Sequence, residues 1–180
     1  MTPSATPGGR RTGGRWRYHR QLPTTDKQFY PAKQIIKNLW IGSEGDSSSD
    51  AFFKKHDIRL VVNATSNIPF STWPEVQTIR VPVDDHPDEN ETMLAHLPVV
   101  VLAIDDVLDH GHGVLVHCRA GMQRSAGVVA GYLMWKRGLT ADQALEFINK
   151  KKPETFWPRA TFDTALRAWE QALRRNGIVA

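Results

Sequence analysis

The stretch VHCRAGMQRS, Val116 to Ser125, holds the only cysteine of the chain, Cys118, six positions before Arg124. The apolar run GVLVH at 113–117 reads as a short strand, and a helical pattern begins near Arg124. Residues 118–123 are therefore predicted to form a strand-to-helix loop. Such a loop turns its backbone N–H groups and the positive end of the helix dipole into one concavity, an anion site before any side chain is considered. Gly121 supplies the backbone freedom for the curl. A thiol opening that loop sits where the field favours thiolate, so its pKa is expected to fall from ~8.5 toward the ~3.5–7.5 range of activated cysteines. Arg124 closes the loop with a planar fork matching two phosphoryl oxygens. A nucleophile and a bidentate clamp around one oxyanion cradle describe phosphoryl transfer.

The rest of the chain has to position that loop. QIIKNLWIG (34–42), rich in β-branched and aromatic residues and ended by Gly42, reads as one strand. SSSDAFFKKH (47–56) offers serines and Asp50 as caps to a short helix, and IRLVVNAT (58–65) reads as a buried strand. In QTIRVPV (77–83), Ile79, Val81 and Val83 share one face of a strand. A helix is predicted through Leu97, Val101, Ile104, Val107 and Leu108, with Pro98 tolerable in its first turn or at a kink. Three further helices follow: one after Ser125, one capped by the Thr140-x-x-Gln143 box, and one carrying Phe162, Leu166, Trp169 and Leu173. The pattern implies an α/β architecture, a central sheet flanked by helices.

His117-Cys118-x5-Arg124-Ser125, with Ala120-Gly121 inside, resembles the signature loop of the cysteine-based protein tyrosine phosphatase superfamily. IIKNLWIGS, IRLVVNAT, VPVDD and AGYLMW narrow the resemblance to the small, atypical dual-specificity phosphatases, over about residues 33 to 175. It implies a protein tyrosine phosphatase-like fold, a mixed sheet with the phosphate-binding loop between a central strand and a helix. It also implies attack of the Cys118 thiolate on phosphorus to form a phosphocysteine, with Arg119, Ala120, Gly121, Met122, Gln123 and Arg124 binding the phosphate. A general acid must protonate the leaving oxygen, and Asp84, Asp85 and Asp88 are candidates. Aligning RVPVDD with the family pattern puts the acid at Asp85. Ser125 is implied to donate to the cysteine sulfur, and its place at a helix start also suits a cap.

His117 is expected to be a hydrogen-bonding group that fixes the loop and supports the thiolate. Gln123, beside Arg124, is a candidate for positioning the attacking water, and Arg119 adds positive potential. Gly127 and Gly131 suggest close helix packing, and Phe156, Trp157, Phe162 and Trp169 suggest core or groove-lining aromatics. His110 and His112 in HGHG read as turn residues, and the chemistry calls for no metal or other cofactor.

With 180 residues and 41% hydrophobic content, one domain with a proper core is expected, and no apolar run approaches the ~18 residues of a membrane span. No secretory signal is expected in MTPSATPGG, and a lone cysteine suits a reducing compartment, so an intracellular, cytoplasmic or nuclear setting follows. Charge is uneven. Residues 1–20 carry Arg10, Arg11, Arg15, Arg17 and Arg20 without an acid, a formal +5 against +4 overall, which leaves the remainder at −1. Residues 1–30 are therefore expected to be a flexible arginine- and glycine-rich extension to a catalytic domain over 31–180. GGRRTGGRWR suits RNA or an acidic partner, or is simply solvated. The main partners expected are phosphorylated proteins. RNA 5′ ends, phosphoinositides and a catalytically silent phospho-binding role are the alternatives.

Overall fold

The computed structural model describes residues 30–180 and, ahead of them, two backbone segments, β1 (Arg11–Thr12) and β2 (Arg15–Trp16), paired antiparallel. Otherwise the extension expected over 1–30 lies outside the described residues. From there the order is β3 (Lys33–Ile36), β4 (Leu39–Gly42), α1 (Glu44–Ser47), α2 (Asp50–His56), β5 (Ile58–Asn63), β6 (Gln77–Arg80), a 3-10 turn at Pro87–Glu89, and α3 (Asn90–Asp109). β7 (Gly113–His117), α4 (Arg124–Arg137), α5 (Ala141–Lys151) and α6 (Asp163–Arg175) follow. The main sheet runs β3-β4-β7-β5-β6, with β3 antiparallel to β4 and the other pairs parallel. The expected mixed sheet flanked by helices is present.

β7 is central and buried along its whole length. Because side chains alternate across a strand, Val114 and Val116 enter the large core under α3–α6. Leu115 enters a smaller core with Phe53, Ile58 and Val61, against which Trp40, Phe70 and Trp73 pack. α4 is buried on all sides from Ser125 through Met134. The expected close packing of its glycines is seen at Gly131, where an added Cβ would lie 2.5 Å from a Leu97 methyl on α3. Phe156, Phe162 and Trp169 are core residues, as expected. Among the described residues no helix is long and apolar enough to cross a membrane.

Four local expectations need correction. The run 34–42 is not one strand but a hairpin, because Asn38 adopts φ 63 and its side chain donates to the Gly111 carbonyl at 2.8 Å. Asn tolerates this left-handed conformation better than most residues. α1 was not expected, although Ser43 and Asp46 form a reciprocal capping box. β6 stops at Arg80: the Val81 amide still donates to the Asn63 carbonyl at 2.9 Å, but the Val83 amide turns back to the Val81 carbonyl at 2.9 Å, and Val81 and Val83 stay buried in phase. Pro98 lies well inside α3, past its first turn, where it cannot donate to the Leu94 carbonyl and its exposed ring faces away from the core.

Candidate active site

The strand-to-helix loop forms as predicted, between β7 and α4. Gly121 has φ +70, and a Cβ there would lie 2.7 Å from the Gly42 carbonyl oxygen, so the curl of the loop against β4 admits only glycine. Its outer flank is held where the Glu44 amide donates to the Arg119 carbonyl at 3.2 Å. Cys118 is 2% exposed. Its Sγ lies 3.3 Å from the Ser125 hydroxyl and accepts from the Gly121 amide, also at 3.3 Å.

Burial opposes the thiolate at Cys118. The Ser125 hydroxyl and amide, the Arg124 charge and the Met122 amide outweigh that burial, and the thiol pKa falls below its ordinary value. His117, 1% exposed, is pulled down to about 4, chiefly by burial, so its ring is neutral near neutral pH. Its Nδ1 is buried without a hydrogen-bond partner among the described residues, while a hydrogen bond with the Cys118 backbone acts on the ring against that lowering. Arg124 has its Nε buried and, among the described residues, unpartnered, and its Nη1 reaches the Val83 carbonyl at only 3.4 Å.

Above the sulfur opens a cleft of about 480 Å³ lined by Asp85, Asn90, Cys118, Arg124, Trp157 and Thr161, among others. Of the three aspartates considered, Asp85 lines it. Asp84 instead accepts from the Ser66 hydroxyl at 2.7 Å, and Asp88 pairs with His86 at 3.3 Å. Ala120, Met122, Gln123 and Arg124 also line the cleft. The Arg119 guanidinium turns to Glu44, 3.9 Å away, which partly cancels the charge it was expected to add. Gln123 is corrected more sharply. Its amide is spent on the carbonyls of Trp157 and Arg159 and on the Thr161 amide, so it has no donor left to orient a water.

Of the wall at 157–161, only Trp157 was expected, as a core or groove-lining aromatic; Arg159 and Thr161 were missed. Trp157 is 38% exposed at the rim, Arg159 is exposed beside it, and the Thr161 hydroxyl donates to Asp85 Oδ1 at 2.9 Å. Only the crowding of aromatics and proline in FWPRATF hinted at a groove wall. His110 and His112 lie elsewhere, each beside a single carboxylate, Asp106 and Asp57.

A mixed sheet whose central parallel strand delivers a cysteine into an arginine-closed loop has the protein tyrosine phosphatase-like fold. The family model for "Dual specificity phosphatase, catalytic domain" matches residues 39–172. Human dual specificity phosphatase 28 is 31% identical over 149 residues, 83% of each chain. The crystal structure of that human protein superimposes with a TM-score of 0.74 at 30% identity, covering 81% of this chain and 96% of the other. Human dual specificity protein phosphatase 9 is 34% identical over 143 residues, 78% of this chain. This chain spans only 36% of that longer relative. The chain belongs to the family of dual specificity phosphatase catalytic domains, hydrolases of the protein tyrosine phosphatase type.

Proposed function

We propose that the chain hydrolyses phosphate monoesters on proteins, at phosphotyrosine and at phosphoserine or phosphothreonine, through a phosphocysteine. The observation that carries this is the Cys118 sulfur, a thiol whose pKa its hydrogen bonds and Arg124 lower, on the lining of a cleft that Arg124 and Asp85 share. The thiolate attacks phosphorus while Arg124, with its unpartnered Nε, and the loop amides of 119–124 take the equatorial oxygens. Asp85 gives its proton to the departing phenolate or alkoxide, and the S–P bond replaces the O–P bond. Water then attacks the phosphocysteine, losing its proton to Asp85, and the thiolate leaves with the Ser125 hydroxyl donating to it. His117 acts as a neutral support beneath the loop. The residues need no metal for any of these steps.

No stretch of the sequence resembles the phosphotyrosine-recognition loop of larger relatives, which favours acceptance of all three phosphoamino acids. In this reading residues 31–180 are the catalytic domain, working inside the cell, in cytoplasm or nucleus. The five arginines of residues 1–20 in this reading either recruit RNA or an acidic partner or are simply solvated.

Incubation of the protein with phosphotyrosine, phosphoserine and phosphothreonine peptides, phosphoinositides and 5′-triphosphate RNA tests the substrate class. Release from the peptides is expected. Turnover of RNA or phosphoinositide alone would replace the protein reading by that alternative. In the same assay, removal of residues 1–25 should leave peptide turnover unchanged and weaken RNA binding at low salt.

A further inference from the structure

Gln123 spends its side chain on one piece of chain. Only 8% exposed, it donates from Nε2 to the Trp157 carbonyl at 2.9 Å and the Arg159 carbonyl at 3.0 Å, and accepts at Oε1 from the Thr161 amide at 3.2 Å. Next to it, the Met122 carbonyl accepts from the Phe156 amide at 3.1 Å. Two consecutive residues of the phosphate loop thus hold both ends of the segment 156–161. Asn90 fixes Thr161 a second time, donating to its carbonyl at 3.3 Å while accepting from the Ala165 amide at 2.7 Å.

With its amide and carbonyl already anchored, Thr161 does not need its hydroxyl to stay in place. That hydroxyl donates to Asp85 Oδ1 at 2.9 Å. Asp85 is exposed, and among the described residues its carboxylate has no other hydrogen bond or ion pair. An exposed carboxylate with two free torsions samples several rotamers, and one directional bond selects among them.

We propose that Thr161 is a positioning residue for the Asp85 carboxyl, and that Gln123 ties Thr161 to the phosphate loop, so that acid and nucleophile share one hydrogen-bonded frame. This rests on the reading of Asp85 as general acid. In the protonated acid, donation by Thr161 to Oδ1 leaves the proton on Oδ2. Transfer forms the new O–H bond on the leaving oxygen, and the carboxylate that remains keeps the Thr161 bond. A misplaced acid still leaves the thiolate and Arg124 intact, so the damage should grow with the basicity of the leaving group.

The test is kcat/KM across aryl phosphates running from p-nitrophenyl to phenyl phosphate. For Thr161→Val, which keeps the branched shape and removes the hydroxyl, the ratio of phenyl to p-nitrophenyl turnover should fall about tenfold, and Thr161→Ser should restore it. Gln123→Ala should lower the same ratio, and the double variant Gln123→Ala/Thr161→Val should fall short of the product of the two effects. A Thr161→Val ratio equal to wild type, or an equal loss on every leaving group, beside a steep dependence in Asp85→Asn, overturns the positioning role alone. An Asp85→Asn variant without leaving-group dependence overturns the acid assignment and the positioning role with it.

Discussion

The Cys118 side of the cleft is made by consecutive residues 118–125, with Cys118, Gly121, Gln123 and Ser125 buried and the loop curled on its own backbone, whereas the Asp85 side is assembled from segments far apart in the chain. Asp85 is exposed, Thr161 reaches it across 76 positions, and Gln123 reaches Thr161 across 38. The first half stores its geometry in a glycine-dependent curl that touches β4. The second stores it in side-chain hydrogen bonds between loops. A contiguous half built on a buried sulfur should tolerate almost no chemical change, and an exposed half should fail by degrees.

The largest effect is therefore expected at the nucleophile. Cys118→Ser should abolish phosphate release from an aryl phosphate, because a seryl hydroxyl in the same hydrogen bonds is not ionised near neutral pH. Arg124→Lys should come close to that loss, since an ammonium cannot reproduce the two-pronged contact of a guanidinium. Phosphate release assays check both. Retained turnover in Cys118→Ser would break the contrast at its stronger end.

The acid side should respond more gently and more selectively. Asp85→Asn is expected to lose on the order of 10²–10⁴ in turnover of phosphopeptides. Asp84→Asn should lose far less, because the Asp84 carboxylate is engaged by Ser66 outside the cleft. Kinetics on one phosphotyrosine peptide would decide between them. The reverse order would move the acid one residue back and leave the Thr161 contact without a catalytic role.

The same contrast explains which parts were legible in the sequence. The loop between β7 and α4 was readable because a strand, a glycine and a helix start are all local signals. The Thr140–Gln143 capping box was readable for the same reason, and both of its reciprocal bonds are present. Asp85 was harder. It was put forward by the family pattern rather than by strand phase, and the structure adds that Asp84 bonds to Ser66 while Asp85 lines the cleft and bonds to Thr161. Gln123 was misread because its neighbours in sequence are phosphate-loop residues, while its bonding partners lie 34 to 38 positions away. The split of 34–42 into β3 and β4 turned on the backbone of Asn38, in a stretch otherwise rich in strand formers. Trp157, Arg159 and Thr161 carry no spacing that marks them, since a cleft wall is defined by what it faces.

The smallest effect on turnover, and the one that probes the buried half from beneath, belongs to His117. Unfolded, its imidazole takes a proton near pH ~6.5. Folded, it does so only at about 4, because burial removes the water that would stabilise the charge. Between those values the unfolded chain binds more protons than the native one, so stability is full above pH ~6.5 and is lost as the pH falls toward 4. From pH 7 to 5 this group alone should cost about 2 kcal/mol. Urea unfolding of wild type and His117→Gln at the two pH values isolates it, because other titrating groups contribute alike to both. The variant should lack that share of the acid-induced loss while phosphatase turnover at neutral pH falls modestly. An identical loss in both would mean that the His117 ring finds a partner when protonated, and the floor of the phosphate loop would be less dry than its burial indicates.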